Sequence, residues 1–135
     1  MSFESEFMDK QSEIISLFSE VVSDDTEEMY LFVYYGQMQM MTHDFFKVRG
    51  KRVGGNDAGI SDDDEDRITD AVVDEIMPEL EEICHKYQKP MPAEFRYIYN
   101  FKSGSFDAKY KQESDLGEDY ECGEEAMAWG DSLFE

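Results

Sequence analysis

The chain has 135 residues, 41% of them hydrophobic and 14% aromatic, which is enough to bury the core of one domain without disulfides. Its 33 Asp and Glu residues outnumber its 12 Lys and Arg residues, and the formal net charge is -21. Such a charge opposes binding to nucleic acid and to anionic lipid, whose phosphates need cationic neutralisation, and it favours encounters with basic proteins.

The sequence contains no recognisable targeting segment. The amino terminus, MSFESEFMDK, has acids where a signal peptide needs positive charge before an apolar core. No apolar run approaches the roughly 20 residues that cross a bilayer. Cys84 and Cys122 are the two cysteines, and without an export signal we expect both to be reduced. The sequence therefore predicts a soluble, cytoplasmic protein with no membrane contact.

The first half of the chain predicts a helix followed by a hairpin. Apolar residues between Phe3 and Val22 recur mostly three or four positions apart, as one face of a helix requires. The run EMYLFVYYG, which ends at Gly36, predicts a strand, and the segment from Gln37 to Val48 predicts a second strand paired with it. Residues 49–63 hold four glycines and little apolar content, so they predict an acidic, glycine-rich loop.

A long helix is predicted after this loop, because apolar residues follow at steps of four and three: Ile68, Val72, Ile76, Leu80, Ile83 and Tyr87. Pro78 lies inside this pattern, lacks a backbone donor and crowds the carbonyl group four residues earlier. We therefore expect a kink or a restart of the helix at Pro78. The sequence KPMP then ends the helix.

Two alternating runs between Glu94 and Gln112 predict a second hairpin, with its turn at Ser103 and Gly104. The acidic carboxyl-terminal segment has a short apolar set that predicts a final short helix: Met127, Trp129, Leu133 and Phe134. The element order is α-β-β-α-β-β-α. It predicts a single α+β domain over residues 1–135, with an antiparallel sheet of about four strands, in two hairpins, packed against helices.

The stretch ISDDDEDR, from Ile60 to Arg67, holds five consecutive acids and has three interpretations: a cation site, a helix start, or a surface for a positively charged partner. The spacing of an EF-hand loop, with alternating ligands, a glycine and a closing glutamate, is absent. Acids just before a helix can cap its free amide groups and complement its dipole, but two of the five are enough for that. The surplus acids favour the third interpretation.

No motif indicates catalysis or a cofactor. Cys84 and His85 are adjacent, so their side chains diverge by about 100° on a helix, and His43 and Cys122 lack the paired spacing of zinc ligands. The methionines of MQMM, at Met38 to Met41, are more typical of adaptable core or interface residues than of a soft-metal site. We therefore expect a binding protein without cofactor or metal, and not an enzyme.

Negative charge is concentrated in two parts of the chain. The segment from Asp57 to Glu82 has acids throughout and a single arginine, and the segment from Glu113 to the end has no Lys or Arg. The solvent face of the long helix is predicted to carry Asp66, Asp70, Asp74 and Glu81. Solubility needs a net charge of only about 2 to 8 in magnitude for a small domain, so this surplus favours a use in binding.

The second hairpin and the carboxyl-terminal segment are similar to those of a known family. The stretch PAEFRYIYNFKSGSFDAKYKQES, the final AMAWGDSLF, the strand LFVYYG and the helix ending in KP resemble, in order and spacing, the YezG-like immunity proteins of bacteria. The resemblance covers Glu28 to Glu135. It implies a small cytoplasmic protein that binds and neutralises a cognate secreted nuclease toxin, of contact-dependent growth inhibition or of another system, and it transfers no catalytic or contact residue.

We therefore interpret the chain as an immunity protein, a monomer that binds one basic toxin domain and has no direct contact with nucleic acid. The alternative is an acidic adaptor, or a nucleic-acid mimic, that regulates another basic protein. Tyr120 is expected to serve as an aromatic anchor within an acidic rim. The predicted toxin-binding residues are Asp62, Asp63, Asp64, Glu65, Asp66, Asp70, Asp74, Glu118, Asp119, Tyr120 and Glu121.

Overall fold

The structure is a computed structural model that describes residues 2–134. Its strands, in chain order, are β1 (Thr26–Tyr35), β2 (Met40–Val48), β3 (Lys51–Val53), β4 (Glu94–Asn100) and β5 (Phe106–Lys111). Its α-helices are α1 (Phe3–Ser19), α2 (Asp62–Ala71), α3 (Met77–Lys86) and α4 (Cys122–Leu133). None of the helices in residues 2–134 combines the length and the apolar character that a membrane crossing requires.

The five strands form one antiparallel sheet in the order β3-β2-β1-β4-β5. Strand β1 lies at the centre and pairs with β2 on one side and with β4 on the other, so that Leu31 lies opposite both Asp44 and Tyr97. Both predicted hairpins, β1–β2 and β4–β5, are confirmed. The predicted α+β class is confirmed as well.

The sheet separates two apolar cores. Helices α1, α2 and α3 cover one side, here called the three-helix face, where Leu31 shares a buried core with Phe18 and Leu80. Helix α4 packs on the other side, here called the α4 face, where Phe32 shares a second core with Trp129. Neighbouring residues of β1 belong to different cores because successive side chains of a strand point to opposite faces.

The predicted apolar stripe of the long helix is confirmed, since its main residues are all buried: Ile68, Val72, Ile76 and Leu80. The restart expected at Pro78 is also confirmed. Helix α2 passes into one π-helical turn, Val72–Ile76, and α3 begins at Met77, whose N–H group donates to the carbonyl group of Val72, five residues back. Because proline has no N–H group and crowds the preceding turn, the wider π-helical turn relieves the conflict.

The prediction that residues 49–63 form a loop is wrong at two places. Part of this segment is β3, which adds a fifth strand beside β2, and its end already belongs to α2, which begins at Asp62. Arg49 and Gly50, with φ of 54° and 76°, form the tight turn of the β2–β3 hairpin. Positive φ at both central residues is what a two-residue turn of this kind needs. A strand of three residues, two of them basic, has no readable apolar alternation.

Candidate protein-binding surfaces

The acid run from Asp62 to Asp66 opens helix α2. Its N-cap is Ser61, whose Oγ accepts a hydrogen bond from the backbone N–H group of Asp64 at 3.1 Å. The cap is therefore a hydroxyl group, and the expectation that acids cap this helix is wrong. The four acids of the first turn instead lie beside the positive end of the helix dipole, where negative charge is stabilising.

Three of the five acids are held by neighbouring side chains. Asn56 donates its Nδ2 to Asp62 at 3.1 Å, and Arg67 pairs with Asp64 at 3.3 Å. Glu65 hydrogen-bonds the carboxyl group of Asp44 on β2. The other two acids, Asp63 and Asp66, are exposed, and neither carboxylate has a partner among residues 2–134. Those two are therefore the members of the run most available to a binding partner.

The contact between Glu65 and Asp44 joins two carboxyl groups beneath the start of α2. Burial of Asp44, together with its hydrogen bond to Glu65 and the negative charge there, raises the pKa of Asp44 to about 8. The proton on Asp44 allows it to donate to Glu65. A Cβ atom on residue 55 would lie 2.6 Å from Oε2 of Glu65, so Gly55 leaves room for this carboxylate. Glu65, a predicted contact residue, thus has an internal role.

The outer surface of α2 continues the negative charge. Asp66, Asp70 and Asp74 are all exposed, on the side away from the buried stripe, and Glu81 is exposed on α3. The structure thus places these residues on the solvent side that the sequence predicted. Their part in binding stays a prediction.

The second predicted cluster, Glu118 to Glu121, precedes α4. Glu118 and Asp119 are exposed, whereas Glu121 is the N-cap of α4 and accepts a hydrogen bond from the N–H group of Glu124 at 2.6 Å. Tyr120 is half-buried, and its hydroxyl group donates to Glu94 at 2.7 Å. Its ring lies 5.6 Å from that of Tyr34, centroid to centroid. Tyr120 therefore ties this segment to the sheet, and its part as an aromatic anchor for a partner stays a prediction.

The two acidic clusters lie on different sides of the sheet. Helix α2 belongs to the core of the three-helix face, whereas Tyr120 packs against the core of the α4 face. A partner that covers one face would therefore contact one cluster and not the other. The structure does not bring the predicted contact residues together into a single surface.

A buried ion pair on the α4 face was missed by the sequence analysis. Glu94, 0% exposed, accepts hydrogen bonds from Arg96 Nε at 2.6 Å and from Tyr120. The Arg96 guanidinium group also lies 5.7 Å from the ring of Phe32 and 5.9 Å from that of Trp129. Burial, and then the hydrogen bond to Glu94, raise the pKa of Tyr120. The alternation of charged and aromatic residues in EFRYIYN was the available signal, but it does not reveal which face of the sheet another element covers.

Neither thiol is activated for nucleophilic chemistry. Burial raises the pKa of both thiols, Cys84 and Cys122, so at neutral pH they are protonated and poorly nucleophilic. Among residues 2–134, no group of three or more His, Cys, Asp or Glu side chains converges to hold a metal ion. The described surface carries exposed carboxylates, such as Asp63 and Asp66, and exposed apolar side chains, such as Met38 and Met127.

Comparison of the chain with models of known protein families and with curated proteins gives no match. The resemblance to YezG-like immunity proteins therefore stays a prediction that rests on the sequence motifs alone. Those motifs correspond to four parts of the fold: the central strand β1, the helix α3 that precedes KP, the hairpin β4–β5 and the carboxyl-terminal helix α4.

Proposed function

We propose that the chain is an immunity protein that binds a cognate bacterial nuclease toxin stoichiometrically and neutralises it without turnover. The observation that carries the proposal is the net charge of -21, together with exposed carboxylates on α2, such as Asp63 and Asp66, that pair with no side chain of residues 2–134. The motif resemblance to immunity proteins supports the same function independently of charge.

The charge favours this function for a physical reason. Self-repulsion among so many acids destabilises a compact state, and solubility alone is served by a net charge of about 2 to 8. A nuclease must carry basic groups to hold a phosphate backbone. An acidic protein is steered toward such a surface by long-range attraction, which raises the association rate in a salt-dependent way.

The alternative function is that of an acidic adaptor, or a nucleic-acid mimic, for another basic protein. It accounts equally well for the charge, but, unlike the immunity function, it does not require that the neighbouring gene encode the partner. The product of that gene is therefore the reagent that separates the two functions.

The test is co-expression of the chain with the product of the neighbouring gene, followed by size-exclusion chromatography at low ionic strength. We expect a 1:1 complex, and we expect nuclease activity of the partner to fall linearly with added chain until one equivalent is reached. An acidic protein of similar size, without relation to the pair, serves as the control for charge alone. Failure of the two products to associate at low salt would remove the proposal.

A further inference from the structure

A groove of about 710 Å³ lies at the end of the sheet where β1 ends and β4 begins. Its walls are Tyr34 and Tyr35 of β1, the β1–β2 loop with Met38, the first residue of β2, Met40, and the segment 91–93 that leads into β4. The groove thus opens between the two hairpins, away from the acid run of α2.

The methionines of this groove are unusually exposed for apolar side chains. Met38 is 98% exposed and Met40 is 48% exposed, while Met91 is partly buried against the core of the three-helix face. Methionine is flexible and polarisable, so it adapts to different apolar partners. Exposed apolar groups that gather around a concave surface are typical of a site for another molecule. Within the MQMM motif, Met38 and Met40 line the groove, whereas Met41 packs against the core of the α4 face.

The charge of the groove has one sign. Among its lining residues, the carboxylates are Glu81 and Glu113, and there is no Lys or Arg. The Tyr35 hydroxyl group lies 3.5 Å from Oε1 of Glu81, within the same wall. The groove thus has a mixed lining, in which methionine and tyrosine side chains lie beside two glutamines and two carboxylates.

We propose that this groove is the docking site for a basic segment of the partner protein. A long apolar side chain of that segment enters between the methionines and tyrosines, and flanking Lys or Arg residues pair with Glu81 and Glu113. The inference rests on the proposed function for the identity of the partner, and it moves the main contact from α2 to this end of the sheet. A second copy of the chain is a poor occupant, because it would bring its own charge of -21 against the same carboxylates.

The probe is a short fluorescent peptide of leucine and lysine, and its control is the same peptide with serine in place of each leucine. Binding is measured by fluorescence anisotropy, and the contact is located from methionine-methyl NMR spectra of the full chain. Met40→Ser is the test variant. Met127→Ser is its matched control, because Met127 on α4 is 50% exposed, close to the 48% of Met40, and does not line the groove.

We expect the leucine–lysine peptide to shift the methyl signals of Met38 and Met40 and to leave that of Met127 in place. Met40→Ser should weaken binding of the peptide about fivefold or more, as expected for a side chain that contributes measurably to the binding free energy. Met127→Ser should leave the affinity unchanged. Equal binding of the serine–lysine peptide would show that charge alone attracts the probe, and equal weakening by both variants would show a contact elsewhere. Either result overturns the inference, as would concentration-dependent dimerisation that Met40→Ser abolishes.

The same spectra, recorded with the product of the neighbouring gene, separate this inference from the proposed function. If that protein binds and the signals of Met38 and Met40 do not move, the groove is not the docking site, but the immunity function stands. If it does not bind, yet the leucine–lysine peptide still enters the groove with the expected effect of Met40→Ser, the immunity function fails and the groove remains a site for basic segments.

Discussion

Asp44→Asn should change the pH dependence of stability in a defined direction. The raised pKa of Asp44, about 8, means that the folded protein holds a proton between roughly pH 4 and pH 8 that the unfolded chain has released. Stability from this group is therefore fully present at low pH and is lost as pH rises toward 8. Asparagine stays neutral and can still donate to Glu65, so the variant should not show this loss.

The expected magnitude follows from proton linkage. Each pH unit over which the folded state holds one extra proton lowers the free energy of unfolding by about 1.4 kcal/mol. Between pH 5 and pH 7.5 the wild type should therefore lose about 3 kcal/mol relative to Asp44→Asn. Burial lowers the pKa of His43, which acts in the opposite direction, but His43 is present in both proteins and cancels in the difference.

Urea unfolding at a series of pH values provides the assay, with fluorescence of Trp129, the single tryptophan, as the signal. Asp74→Asn is the matched control, because it also removes one carboxylate, but from an exposed position in the turn that follows α2. It therefore reports the general effect of reducing the net charge. The physical explanation is refuted if the slope of stability against pH is the same in the wild type and Asp44→Asn, or if Asp74→Asn flattens it equally.

Three further changes test other parts of the structure. Arg96→Met should destabilise the fold by about 3 to 5 kcal/mol, because it leaves the buried carboxylate of Glu94 without its cation. The stability of Arg96→Lys should lie between those of Arg96→Met and the wild type, and thermal unfolding measures both variants. If the proposed function holds, charge reversal at Asp63 and Asp66 together should slow association with the product of the neighbouring gene about tenfold at low salt and little at high salt. Unchanged stopped-flow rates at low salt would remove these acids from the steering surface. Gly50→Ala should lower the free energy of unfolding by about 1 kcal/mol, because the φ of Gly50 is 76°, whereas Gly54→Ala should lower it less. An added Cβ atom would meet no other atom at either position. Equal losses of stability in urea unfolding would therefore contradict a backbone origin of the effect.

The sequence predicted the elements whose burial follows a regular period. The stripe from Ile68 to Leu80 and the alternation of β4 were readable because apolar residues recur at a fixed spacing on one face of each element. Strand β3 was not readable, because its three residues are held by hydrogen bonds to β2 and by a turn, and not by an apolar pattern. The start of α2 was predicted too late, because Ser61 was not recognised as the N-cap ahead of the run of acids.

The candidate site was less predictable than the fold. Exposure of Asp63 and Asp66 follows from their position on α2, but the inward roles of Glu65 and Tyr120 depend on partners distant in sequence, Asp44 and Glu94. No local pattern specifies which side chain of a helix or loop meets which side chain of a strand. The groove likewise arises where two loops and a helix come together, so its lining could not be read from the methionine motif alone.

The central position of β1 also bears on how the chain is made. One edge of β1 pairs at once with β2 through a short loop, but the other edge waits for β4, which follows after nearly half of the chain has intervened. Until β4 arrives, a nascent or newly unfolded chain presents an unpaired, strongly apolar strand edge, which is the usual origin of misassociation. The abundance of carboxylates keeps such chains apart, because two of them repel each other during that interval.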